Sequence, residues 1–188
     1  MPQKTRITKE MIVAEAFEIA RTEGADKITA RRVAERLKCS TQPVLYNFAT
    51  VDELKAAVYR MADEYHGGWL MNMERDYGDP MLCIGMNYIR FAVEEKNLFR
   101  LLFQSNEFSG AGLVDLVQAE ELIPLLQVLQ QEENLTLEEA REVFGHIFIY
   151  VHGYAGMFAN NEMLYDENAL LEALTKMLSG AVYAVKGC

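Results

Sequence analysis

The segment Ser40-Thr-Gln-Pro-Val-Leu-Tyr-Asn47 carries the side chains best placed to meet another molecule. Ser40, Thr41 and Gln42 are slender polar residues at the expected start of a short helix, where they can reach base edges and phosphates. A glutamine can pair two hydrogen bonds with adenine, a contact worth about 1–3 kcal/mol of discrimination. The N–H groups of a helix start also favour a phosphate. Pro43 must sit in the first turn, which limits the reading surface to Ser40–Asn47. Tyr46 offers a phenol to phosphate, and Arg31, Arg32 and Lys55 are cations close by in sequence.

Catalytic and metal chemistry have less to draw on. Asp63-x-x-His66 occurs once, whereas a di-iron helical bundle needs paired Glu-x-x-His motifs. His146 and His152 are six residues apart, about 240° around a helix, so they do not share a face. Cys39, Cys83 and Cys188 are scattered and odd in number, which suits neither a disulfide framework nor a cysteine zinc site. No P-loop, HExxH or dinucleotide glycine motif is present. We therefore expect no enzyme activity, no metal and no cofactor.

The elements that must position residues 40–47 are helical, because apolar residues recur at helical spacing and strand alternation is missing. Thr8 and Gly24 bracket a first helix. Thr29 can cap a second, with Ala30, Val33, Ala34 and Leu37 on one side. Lys38-Cys39-Ser40 forms a turn, and Ser40 and Thr41 can cap a third helix reaching about Asn47. Thr50-Val-Asp-Glu53 has the form of a capping box and opens a long fourth helix, kinked or ended by Gly67-Gly68. Asp79-Pro80 starts a helix buried on most of its surface, and residues 97–103 form a short one. Ser109–Gly112 reads as a loop. A helix resumes at Leu113 and is interrupted at Pro124. Thr136-Leu-Glu-Glu139 is a second capping box, and Asp166 can cap the last helix. The expected fold is all-α with about nine helices, divided into residues 1–50 and 51–188.

Charge supports that division. Residues 1–60 hold 11 Lys+Arg and 8 Asp+Glu, net +3, although the whole chain of 188 residues carries −10. A basic end on an acidic body keeps the body away from a polyanion while the end docks. Residues 143–161 lack Asp, Glu, Lys and Arg, but His146, His152 and three glycines within them, with no flanking basic cluster, argue for a core or interface helix and against a membrane span. The first ten residues contain no apolar run, so no signal peptide is expected and the chain reads as cytoplasmic.

With these elements in place, the N-terminal 55 residues resemble the DNA-binding domain of the TetR family of bacterial transcriptional regulators. The likeness rests on ITKEMIVAEAFEIARTEGADKITARRVAERL, the Ser40-to-Phe48 spacing and Leu54 six residues beyond Phe48. Tyr150-Val-His-Gly153 is weakly similar to a Trp-x-His-Gly pattern found in one group of the family. Three positions depart from the family: its turn glycine is Lys38, its recognition-helix tyrosine is Leu45, and the lysine opening its fourth helix is Val51. The resemblance implies a helix-turn-helix head binding operator DNA, a larger effector-binding and dimerisation domain, and a homodimer built on the last two long helices. From the residue pattern, Phe144, Ile147, Leu170, Leu174, Met177, Leu178 and Ala181 are expected at that dimer interface. Met61, Tyr65, Trp69, Arg90, Phe91, Phe103, Phe148 and His152 are expected to surround a largely apolar small-molecule effector. A helical carrier or protein-interaction module without DNA affinity is the alternative.

Overall fold

A computed structural model describes residues 6–104 and 118–187, apart from the Glu121 side chain. The expected loop at Ser109–Gly112 and the helical restart at Leu113 lie outside them. Among the described residues the protein is all-α, with nine α-helices, two short 3-10 turns and no strand. The helices are α1 (Lys9–Glu23), α2 (Ala30–Arg36), α3 (Gln42–Asn47), α4 (Val51–Leu70), α5 (Pro80–Glu94), α6 (Lys96–Phe103), α7 (Ile123–Glu133), α8 (Leu137–Asn160) and α9 (Glu167–Lys186).

Most helix starts are set by side chains that satisfy otherwise orphaned N–H groups. The Oγ1 atoms of Thr8 and Thr29 accept from the N–H of Met11 at 3.3 Å and Arg32 at 3.1 Å. Thr136 and Glu139 form a reciprocal capping box, at 3.3 and 2.7 Å. At α4 the box is offset: Thr50 accepts from Glu53 N–H, while the Glu53 carboxylate returns to Ala49 N–H. Asp79 Oδ1 receives the N–H groups of Met81 and Leu82 at the start of α5, and Asp166 receives that of Ala169 at the start of α9. Pro124 lies in the first turn of α7 and so begins a helix. Gly67 and Gly68 do not break α4, which runs on to Leu70.

The described residues divide into two compact units. The first comprises those of Met1–Gly67 and Glu95–Ser105 and the second those of Gly68–Glu94 and Asn106–Cys188. The first therefore takes in most of α4 and all of α6 as well as α1–α3. Its core is built from Ile12, Ile19, Val33, Val58, Leu98 and Phe99, all fully buried. In the second unit α5 is central and packs on α7, α8 and α9. Every residue of α5 from Met81 to Ile89 is buried. Gly85 sits where α9 comes closest: a Cβ there would lie 2.7 Å from Leu174 Cδ2.

Candidate functional site

The short α3 is held against α1 and α2, with Val44 and the C-terminal cap residue Phe48 as its buried anchors. The turn before it is a Schellman motif on α2. Lys38 N–H donates to Glu35 O at 3.1 Å, and Cys39 N–H donates to Ala34 O at 2.9 Å. Lys38 takes the left-handed conformation this turn requires, with φ 53°, where glycine would fit without the side-chain penalty. Its side chain is exposed.

Ser40 and Thr41 differ from expectation. Thr41 occupies the N-cap position of α3 with helical backbone angles, and no side-chain cap bond forms. Ser40, Thr41 and Gln42 are instead exposed at the first turn, with Pro43 half-buried inside it. Tyr46 is 86% exposed. The Asn47 side chain donates to Pro43 O at 2.8 Å, so its amide N–H serves α3 itself.

The exposed side of α3 and the start of α1 enclose a cleft of about 590 Å³ whose lining includes Arg6, Lys9, Gln42, Pro43, Tyr46 and Asn47. Arg6 and Lys9 were not singled out from the sequence. The basic character of the first ten residues was their only signal, and only the fold brings them beside α3. Lys9 Nζ also lies 4.9 Å from the centroid of the Phe48 ring, a cation–π contact that fixes its stem.

The cations of α2 separate into two kinds. Arg31 is exposed. Arg32 is held by Glu23 at 2.7 Å and Glu35 at 3.1 Å, and Arg36 pairs with Glu15 and Glu23. Arg32, expected to contact phosphate, has its guanidinium paired with acids on α1 and α2. Lys55 is half-buried on α4 and close enough to Asp26 to help hold that carboxyl below its ordinary value, behind the larger effect of Lys27.

The eight residues expected around an effector fall in both units. In the first, Met61 is 36% exposed. Tyr65 donates to the buried Glu95 carboxylate at 3.2 Å, beside the Arg21 guanidinium that pairs with Glu95 at 2.5 Å. Phe103 meets His66 edge-on at 5.1 Å and Phe99 at 5.0 Å. In the second unit, Trp69 contacts Phe91 edge-on at 5.7 Å, and Arg90 lies over its ring at 5.8 Å. Phe148 stacks with His152 at 5.5 Å. Tyr88 lies 2.8 Å from His152 Nδ1. Burial raises the Tyr88 pKa and lowers that of His152, so both groups are neutral and share one hydrogen bond.

The expected dimer stripe is corrected by burial. Phe144, Ile147, Leu170, Leu174, Leu178 and Ala181 are buried within the chain's own unit, and only Met177 is half-exposed. A side chain that fills one subunit's core is not available to a second copy. Exposed large apolar residues of α8 and α9 include Ile149, Met157 and Tyr183 at 53%, 45% and 66%, with Leu137 at the start of α8. Among them stand Gly153, Gly156 and Gly180, each with open space where a Cβ would be.

Among the described residues no group of three or more His, Cys, Asp or Glu could hold a metal ion, and no helix is long and apolar enough to cross a membrane. No protein-family model matches the chain, and no curated protein matches it.

Proposed function

We propose that this protein is a TetR-like, ligand-responsive transcriptional regulator that binds operator DNA as a homodimer and acts as a repressor. The observation that carries the reading is the first turn of α3. Ser40, Thr41 and Gln42 are exposed there without capping duty, and Tyr46 projects from the same short helix. Arg6 and Lys9 share their cleft, while Arg31 and Lys38 are exposed nearby in the chain. In helix-turn-helix proteins the second helix enters the major groove, and its first residues meet the bases. Gln42 and Thr41 read bases; Tyr46, Arg6, Lys9, Arg31 and Lys38 engage phosphates. The exposed faces of α8 and α9 support pairing with a second copy, because Gly153, Gly156 and Gly180 allow close helix approach between Ile149, Met157 and Tyr183. A two-fold dimer then sets two heads about 34–36 Å apart or a multiple of it. An effector that prefers the DNA-incompetent state weakens DNA binding, and DNA weakens effector binding equally.

Selection of bound duplexes from a random pool, followed by anisotropy titration, tests the reading. Gln42→Ala relaxes the selected sequence at one position per half-site. Tyr46→Phe weakens all sequences alike. A chain that retains no duplex at low salt has some other function.

A further inference from the structure

The second unit contains a polar cleft that shares Trp69 and Arg90 with the residues expected around an effector. Its foundation is Asn87 on α5, 2% exposed. The Asn87 amide donates to Leu70 O at 3.2 Å and Asn72 O at 2.6 Å, its backbone carbonyl accepts from Trp69 Nε1 at 3.1 Å, and its Oδ1 accepts from Arg90 Nη1 at 3.2 Å. One buried amide thus pins the end of α4 and the following loop onto α5, with every hydrogen bond satisfied as burial demands. The cleft so formed, about 270 Å³, is lined by Trp69, Asn72, Glu74, Arg75, Asn87 and Arg90. At about 30 Å³ per water it has room for a small metabolite, and it lies below the drug-sized range of about 300–1,000 Å³.

The charges select the occupant. Arg90 leans on Glu94 at 3.3 Å and Arg75 on Glu167 at 2.6 Å. Three of the five N–H donors that a guanidinium carries are used at Arg90 among the described residues. Glu74 lines the cleft with a carboxylate that has no partner among the described residues, and only its backbone N–H is bonded, to Asn72 Oδ1 at 2.9 Å. Two guanidiniums and the carboxylates of Glu74, Glu94 and Glu167 leave the neighbourhood net negative by one, which repels a simple anion. A simple cation meets two guanidiniums. A molecule carrying both a carboxylate and an ammonium satisfies both sets, and the Trp69 indole gives it an apolar wall.

We infer that this cleft binds a small zwitterion of the free α-amino acid class, its carboxylate toward Arg75 and Arg90 and its ammonium toward Glu74. The site does not depend on whether the head binds DNA. The test titrates the full chain calorimetrically with the standard free amino acids to millimolar concentration, with Trp69 emission and the thermal midpoint followed in parallel. One narrow group of amino acids binds, raises the midpoint and shifts the emission. Glu74→Gln and Arg75→Gln each weaken binding by about 10-fold or more while leaving the midpoint of the free protein in place. N-acetylation or amidation of the ligand has the same effect as the variants. Absence of binding by every amino acid overturns the inference. So does affinity unchanged in both variants, or an N-acetyl form that binds as well as the parent.

Discussion

The ionisation of His66 is coupled to folding. The residue is 7% exposed, and burial lowers its pKa to about 4. The unfolded chain takes up its proton near pH 6.5, the folded chain only near 4. Between those values the unfolded state binds more protons, so stability falls as pH falls. The loss reaches about 2 kcal/mol at pH 5. Denaturant unfolding at pH 7.5 and 5 checks this: His66→Leu shows a smaller drop between the two than the parent. Arg31 and Arg32 give a second contrast between neighbours. On the proposed DNA-binding function, Arg31→Ala should lower the salt slope of binding by about 1 per protomer, because an exposed cation releases a counterion. Arg32→Ala leaves the slope unchanged, since its partners are Glu23 and Glu35. Equal slopes for the two variants would show that Arg32 exchanges its carboxylates for phosphate. This distinction was not legible in the sequence. The two arginines are adjacent and identical, and only the rotation of α2 turns one toward Glu23. Lys38 stands where a turn glycine is usual in the family the chain resembles, and the turn is made with the lysine itself in the left-handed conformation.

At the scale of elements, Gly67 and Gly68 interrupt α4 in composition and not in backbone. Each has open space around a would-be Cβ and no positive φ, so nothing in the packing calls for glycine. Gly67→Ala and Gly68→Ala should each stabilise the protein by about 1 kcal/mol, read as a rise in thermal midpoint. A fall would mean that the helix needs its freedom at this point even in the resting state. Gly85→Ala should act in the opposite direction, costing about 1–3 kcal/mol, because its Cβ meets Leu174 and Val151. Helix positions were legible because caps are local: Thr8, Thr29, Thr136 and Asp166 each bond within three residues. Which stripe of a helix faces the core was not. The 170, 174, 177 and 181 spacing marks one apolar stripe on α9, but spacing alone cannot say whether α5 and α8 of the same chain or those of a second copy cover it, and the structure buries Leu178 where Met177 is half-exposed.

For the whole molecule, that assignment decides what mutation does to assembly. Ile149→Glu with Tyr183→Glu should yield a monomer of unchanged thermal midpoint and poor operator affinity, by sedimentation and anisotropy. Leu174→Glu should lower the midpoint sharply, since it places a charge against Gly85 in the core. A dimer that survives Ile149→Glu and Tyr183→Glu places the interface on another face. The division into units has a further consequence, in time. The first unit is discontinuous: Arg21 on α1 pairs with Glu95, and α1 packs on α6, yet Gly68–Glu94 of the second unit lies between them in the chain. During synthesis at about 5–20 residues per second, α1 to α4 emerge and then wait about 2–7 s for α6 to leave the ribosome. Through that interval α1 lacks the packing of α6 and Arg21 lacks its carboxylate. The nascent head is therefore exposed to chaperones and proteases until the chain has passed residue 103, and a fragment ending at Gly67 should remain unfolded by circular dichroism.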